Sequence, residues 1–158
     1  MTTTLEDQTI HTLDIKREID IAAPIEIAFE ALLEELGPEA QMPGTEKSMA
    51  MKIEAWPGGR WFRDLGNNSG HLWGHVQVIK PPTLLEICGP MAMSYPSANH
   101  IQYRLMAESS GKTTMTLHHR ALGLILPEHR DGMGEGWGHW LEAIRDHAEK
   151  KHANRNKR

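Results

Sequence analysis

The sequence predicts a single α+β domain, with a curved antiparallel sheet of about seven strands, a short helix after the first strand and a long C-terminal helix. Apolar and polar residues alternate through most of residues 13–121, and short turn sequences separate the runs. A helical pattern follows the first run, and a longer one occupies residues 128–150. The successive strands must pair antiparallel, because parallel pairing needs crossovers of a dozen or more residues.

The first strand and the first helix are recognised by their apolar spacing. Residues 13–21 alternate between apolar and charged side chains, and only Arg17 breaks the apolar register. Pro24 suits the first helical position, and the helical stripe that follows ends at Gly37. We expect residues 1–11 to be disordered or frayed, and residues 39–47 to form a loop.

Six further strands are predicted before the long helix. They cover residues 49–55, 60–65, 71–79, 84–89, 101–105 and 113–121. Glycine, proline and asparagine mark the turns between them, most clearly in Trp56–Gly59 and Gly66–Gly70. The segment Pro90–Pro96 has two interpretations: a ragged strand extension, or a loop at the mouth of a pocket.

The long helix is predicted to lie across the sheet. Its apolar residues recur at three- and four-residue spacing: Met133, Trp137, Trp140, Leu141, Ile144 and Ala148. Two indoles within one turn present about 150–250 Å² of surface each, which the sheet must cover. We therefore predict one domain over residues 12–150, followed by a basic tail at residues 151–158. The simpler interpretation of this tail is a solvated helix end, whose cations suit the negative pole of the helix, and the alternative is a docking tail.

Composition limits the classes of function. The chain has 158 residues and a formal net charge of −4, which disfavours a nucleic-acid partner. No apolar run approaches the ~20 residues of a membrane helix, and the first residues lack the features of a signal peptide. The single cysteine, Cys88, suits a reducing compartment, so we expect a cytoplasmic protein. A homodimer is compatible with the sequence.

The ten histidines do not predict a metal site. His71 and His75 share a strand face, but four residues along a strand span ~13 Å, too far to share an ion. His118 and His119 point to opposite faces of a strand, and His147 faces away from His152 on the helix. There is no His-Glu-x-x-His motif. The candidate nucleophiles Cys88, Ser94 and Ser97 lie beside no evident base. We expect no metal and no obligatory cofactor.

His119 is the polar residue that stands out. It shares the apolar register of Met115 and Leu117, so it should face the long helix. The simpler interpretation is a buried histidine bonded to the backbone, and the sharper one is a polar anchor or proton-transfer group in an apolar cavity. Arg63 could present its guanidinium to an anionic ligand, or be solvated. We predict these ligand-binding residues: Trp61, Arg63, Trp73, Tyr103, Met115, Leu117, His119, Trp137, Trp140 and Leu141.

Several local motifs, together with the element order, resemble a known superfamily over about residues 13–150. They are Ala23 and Pro24 opening the first helix, the hairpin Pro57–Phe62, Gly74–Val76 before two prolines, and Gly136–Leu141 on the last helix. This combination resembles the helix-grip superfamily (START-like, SRPBCC), and within it the group related to the C-terminal domain of the activator of Hsp90 ATPase. The resemblance implies a sheet that grips the long helix, with a deep cavity between them.

The resemblance also implies the function we expect. Members include lipid and hormone binders and aromatic-polyketide cyclases, so our leading hypothesis is binding of an apolar, aromatic or lipid-like small molecule. One alternative is a cyclase- or hydratase-type enzyme that uses His119, and another is a co-chaperone-like interaction module. The Hsp90 co-chaperone carries an additional N-terminal domain, for which a first strand near Leu13 leaves no room. Group members also tend to carry a tryptophan after the first helix, and Gly37–Ser48 has none. We therefore do not expect Hsp90 to be a partner, and we lean against an enzyme.

Overall fold

The structure, a computed structural model, describes residues 8–157. Seven strands and two helices follow in this order: β1 (His11–Ile21), α1 (Ile25–Leu36), β2 (Met51–Ile53), β3 (Arg60–Gly66), β4 (Ser69–Lys80), β5 (Leu84–Gly89), β6 (Ser97–Ala107), β7 (Thr113–Gly123) and α2 (Pro127–Asn156). This confirms the predicted α+β architecture. Residues 1–7, which belong to the predicted frayed N-terminus, lie outside the described residues.

The sheet is a single antiparallel meander that the first strand completes. Its strand order is β1-β7-β6-β5-β4-β3-β2. Strand β1 pairs with β7 over its whole length, from His11 opposite Gly123 to Ile21 opposite Thr113. The segment that contains α1 therefore carries the chain from one edge of the sheet to the other, where β2 begins.

Strand ends differ from the prediction where the backbone departs from extended geometry. Strand β2 is shorter than predicted, since Ala50 immediately before it has a φ of 56°. Strand β6 is longer, because it pairs with β7 from Ser97 to Ala107. The β3–β4 turn has positive φ at Asn67 and Asn68, as a tight hairpin requires. Between β5 and β6, residues 90–96 form turns and bends. This segment is therefore a loop and not an extension of a strand.

Helix α1 packs its apolar stripe against the core. Its buried residues are Ile27, Ala28, Phe29, Ala31, Leu32 and Leu36. Pro24 precedes the first turn, in which Glu26 is favoured by the helix dipole. The helix ends at Leu36, and the N–H of the next residue, Gly37, donates to the carbonyl of Glu34 over 3.1 Å.

Helix α2 continues past the predicted end at residue 150 to Asn156. Ion pairs with α1 account for the extension, because they hold the basic side chains of the last turns. Lys151 pairs with Glu34 and also lies 3.3 Å from Glu30, and Arg155 lies 2.8 Å from Glu30. Residues 151–156, the first part of the predicted tail, are therefore helical.

The first half of α2 contains four glycines, at positions 132, 134, 136 and 138. Glycine inside a helix weakens it by roughly 0.5–1 kcal/mol relative to alanine. The remainder of the helix is anchored by Trp137, Leu141, Ile144 and Ala148, which are buried against the core. Packing of these later residues, more than intrinsic propensity, therefore stabilises α2.

Candidate ligand-binding cavity

A cavity of ≈ 360 Å³ lies between the sheet, the segment after α1 and the first half of α2. Its walls come from five parts of the chain: the end of α1 and the loop before β2, strands β3 and β4, the loop after β5, strand β7 and helix α2. The lining is mainly apolar and includes Met42, Pro43, Met49, Trp61, Trp73, Met91, Ala92, Met133, Trp137, Trp140 and Ala143. Its size falls in the ordinary range for small-molecule sites, about 300–1,000 Å³.

Four tryptophans form one connected cluster along the cavity. Trp61 meets Trp73 edge-to-face with ring centroids 5.1 Å apart, and it lies 5.9 Å from Trp140. Trp137 stacks on Trp140 at 5.6 Å. These separations are within the range at which aromatic rings attract one another. The two strands and α2 therefore present a continuous aromatic wall.

Hydrogen bonds fix the orientation of three of these indoles. The N–H of Trp61 donates to the carbonyl of Leu36 over 2.7 Å, and that of Trp140 to the carbonyl of Glu35 over 2.9 Å. Both acceptors belong to the last turn of α1, whose carbonyls have no partner within the helix. The indole N–H of Trp73 is buried and has no hydrogen-bond partner among the described residues.

The third oriented indole is that of Trp137, which is hydrogen-bonded to the fully buried side chain of His119. Its Nδ1 accepts the N–H of Trp137 over 2.9 Å, and its Nε2 lies 2.7 Å from Oδ1 of Asn99. An indole nitrogen can only donate, so Nδ1 carries no proton and Nε2–H donates to Asn99. Burial, with smaller repulsion from His100 and His118, lowers the pKa of His119 to about 4. The imidazole is thus neutral near pH 7, with both nitrogens occupied.

The structure brings five of the ten predicted ligand-binding residues together in the cavity lining: Trp61, Trp73, His119, Trp137 and Trp140. Four others, Tyr103, Met115, Leu117 and Leu141, lie in the packed core outside this lining. Arg63 also lies outside it, because its Nε donates to the carbonyl of Met49 over 2.9 Å. Arg63 therefore helps to hold the backbone of Met49, a lining residue, in place.

Two parts of the lining were not predicted: the wall formed by residues 41–45 and the carboxylate of Glu35. The loop has no periodic pattern that would place it near the sheet. For Glu35 a signal existed: it lies three residues after Leu32 and one before Leu36, so it borders the apolar stripe of α1. Met91 is a further cavity residue, and its φ of 57° is unusual for a residue other than glycine.

The described residues offer neither a metal cluster nor a membrane-spanning helix. Within residues 8–157, no three His, Cys, Asp or Glu side chains are grouped closely enough to hold a metal ion. Among those same residues, neither helix has the length and hydrophobicity needed to cross a membrane.

Residues 22–149 match the protein family described as Activator of Hsp90 ATPase homolog 1-like protein. The chain belongs to this family. The cavity lining falls within the matched range, from Glu35 to Ala143. No match was found among proteins of curated function.

Solved structures share the fold of this Activator of Hsp90 ATPase homolog 1-like chain. A protein of unknown function from Staphylococcus aureus, SA2116, is 15% identical with a TM-score of 0.67, over 90% of this chain and 96% of that one. An uncharacterised protein from Rhizobium leguminosarum is 19% identical with a TM-score of 0.63, over 91% and 99%. StfQ, a di-domain ARO/CYC from the steffimycin biosynthetic pathway, is 12% identical with a TM-score of 0.62, over 93% of this chain and 52% of StfQ. At these identities the similarity establishes the fold.

Proposed function

We propose that this protein binds an apolar or aromatic small molecule in the cavity between the sheet and α2. The observation that carries the proposal is the cavity itself: ≈ 360 Å³ of space, lined by four indoles and four methionines. Methionine adapts its shape to irregular apolar surfaces, and indoles attract flat aromatic rings. We place this activity in the cytoplasm, as the lone cysteine suggests.

The polar contacts around the cavity support binding in a preformed site. Three of the four indoles are oriented by hydrogen bonds to α1 or to His119, so a ligand would not have to order them. Preorganised side chains reduce the entropy that binding must offset. A ligand of matching shape would therefore gain most of the contact free energy from rings already in position.

The enzyme that uses His119 is the weaker hypothesis. A general base needs a free acceptor within reach of the proton that it removes. Nδ1 of His119 already accepts an N–H from Trp137, and the other nitrogen faces the Asn99 amide. A co-chaperone-like role gains no support from the cavity, and we propose that Hsp90 is not a partner. A pull-down with Hsp90 should recover none of this protein.

Two measurements test the proposed function: detection of a ligand that co-purifies with the protein, and titration with added ligands. Purified protein is extracted with organic solvent for mass spectrometry, and a panel of bicyclic aromatic molecules is titrated by calorimetry. We expect a co-purifying apolar compound, or micromolar binding of at least one panel member. Absence of both would overturn the proposal.

A matched pair of glycine variants locates the binding to the cavity. Gly136 borders the cavity, and a Cβ added there would meet no other atom within 4 Å, so the helix can accept a larger residue at this position. Gly136→Leu should therefore intrude on the cavity border and weaken binding at least about tenfold, or about 1.4 kcal/mol. Gly132 has the same open surroundings but does not border the cavity, so Gly132→Leu should bind as the wild type does.

A further inference from the structure

Glu35 is the one carboxylate among the described residues that line the cavity. It lies in the last turn of α1, and its side chain is only 12% exposed. Burial is the strongest influence on this group and raises the pKa of the Glu35 carboxyl. A carboxylate in apolar surroundings is costly unless donors satisfy it. Its position next to an aromatic wall therefore needs an explanation.

The protein itself satisfies Glu35 only in part. Oε1 of Glu35 lies 3.2 Å from Nδ1 of His147 on α2. The other nitrogen of His147 lies 2.5 Å from Oε2 of Glu34, so this imidazole is shared between two carboxylates. A carboxylate offers about four acceptor positions, and one imidazole contact leaves most of them available. Glu35 can therefore accept a further hydrogen bond.

The other polar side chains of the lining are less suited to recognise a ligand. His119 has both ring nitrogens occupied. The hydroxyl of Thr45 donates to the carbonyl of Met42 and accepts the N–H of Lys47. Gln41 and His139 are exposed to solvent. Glu35 is thus the partly buried acceptor of the lining with remaining capacity.

We propose that Glu35 is the polar anchor of the cavity, and that the ligand is an aromatic molecule carrying a hydroxyl or amine hydrogen-bond donor. The aromatic ring packs against the indoles, and the donor bonds the Glu35 carboxylate. This inference rests on the proposed binding function and specifies its ligand class. Hydrogen bonds to charged groups are the stronger ones, so the donor should improve affinity about tenfold or more.

The alternative role for Glu35 is structural, as a partner that holds α1 to α2 through His147. Glu34 provides the matched control, because it contacts the same imidazole but does not line the cavity. A purely structural role predicts that changing either carboxylate alters ligand selectivity equally little. A recognition role predicts that Glu35 alone controls selectivity for a donor.

The test compares ligands that differ in a single donor. The full chain is titrated calorimetrically at pH 7 with 2-naphthol and with 2-methoxynaphthalene, which lacks the O–H. We expect the wild type and Glu34→Gln to bind 2-naphthol about tenfold more tightly, and Glu35→Met to show no preference. Glu35→Gln, which keeps the side-chain shape, should reduce the preference and replaces the Met variant if that variant does not fold. 1-Naphthylmethylamine distinguishes the donors: tighter binding than 2-naphthol indicates an amine ligand, weaker binding a hydroxyl.

The outcomes separate this inference from the proposed function. Equal affinity of the wild type for 2-naphthol and 2-methoxynaphthalene would overturn the role of Glu35 and leave aromatic binding intact. If Glu35→Met still preferred 2-naphthol to 2-methoxynaphthalene, the role of Glu35 would also be overturned, and aromatic binding would again remain intact. If neither naphthalene derivative binds and no other aromatic does, the proposed function fails, and the inference fails with it.

Discussion

Trp137 donates its indole N–H to Nδ1 of His119 over 2.9 Å, and this bond joins the long helix to the last strand. It is fully buried, and the same imidazole continues to Asn99 on the neighbouring strand β6. The bond requires the neutral form of His119 with its proton on Nε2. The packing of α2 on the sheet therefore depends on the protonation state of one side chain.

We predict that His119 makes the folded state less stable at acidic pH. The folded pKa of about 4 lies below the ordinary value of 6.5, so the unfolded chain binds the proton first as the pH falls. The stability is fully present above pH ~6.5 and declines to a plateau below pH ~4, by about 3 kcal/mol, since one pKa unit corresponds to about 1.4 kcal/mol. Urea denaturation at a series of pH values from 4 to 7.5 measures this change in the free energy of unfolding.

The variant His119→Gln isolates this contribution. A glutamine amide can accept from Trp137 and donate to Asn99, yet it does not titrate. Its free energy of unfolding should vary less between pH 6.5 and pH 4 than that of the wild type. If the free energy of unfolding of both proteins changed with pH by the same amount, His119 would not be the titrating group.

Trp137→Phe should destabilise the protein by about 2 to 4 kcal/mol. The change leaves the buried Nδ1 of His119 without a donor, which costs about 1–3 kcal/mol, and it removes part of a packed ring. Thermal and urea denaturation measure the loss. Trp56→Phe is the control, because Trp56 is 58% exposed, and a change below about 0.5 kcal/mol is expected there. Similar losses in both variants would contradict the assigned role of the bond.

Tyr103→Phe should leave stability unchanged or raise it by about 1 kcal/mol. The hydroxyl of Tyr103 is buried and has no hydrogen-bond partner in the described part of the chain, so its removal relieves an unsatisfied group. Burial also raises the pKa of Tyr103, which keeps the hydroxyl protonated. Chemical denaturation is the measurement, and a loss above about 1 kcal/mol would indicate a hydrogen bond to this hydroxyl.

The double variant Gly132→Ala, Gly138→Ala should raise the free energy of unfolding by about 1 to 2 kcal/mol. An added Cβ at either position would meet no atom within 4 Å, so the gain is that of helix propensity. Gly134→Ala is the matched control: its Cβ would lie 2.4 Å from Nη2 of Arg17, which must move, so its gain should be less than half that of the double variant. Urea denaturation of the wild type and both variants measures the gains. A gain of half or more for Gly134→Ala would show that Arg17 moves at no cost.

The sequence predicted the architecture because the signals are local. Alternation marks β1 and β7, glycine and proline mark the hairpins, and Trp137 with Trp140 marks the buried side of α2. The apolar pattern of α2 stops near residue 150, and the turns beyond it depend on ion pairs with Glu30 and Glu34, which are distant in sequence. Apolar periodicity in the sequence identifies a helix, whereas the position of its last turns depends on tertiary contacts with neighbouring elements.

Cavity residues were harder to predict than core residues. Met115 and His119 share one inward register, yet only His119 borders the cavity. Alternation identifies the inward face of a strand, whereas the position of α2 and of residues 41–45 determines which inward side chains remain uncovered. That arrangement arises from tertiary packing, so sequence patterns could not separate Tyr103 in the core from Trp73 at the cavity.

The indole cluster also gives this protein an internal optical reporter. Four of its five tryptophans surround the cavity, and the fifth, Trp56, is exposed. In a Trp56→Phe background, all tryptophan emission would originate at the cavity wall. Occupancy by an unlabelled guest could then be followed in real time from the intensity and wavelength of that emission, and arrival and departure rates could be measured without a dye.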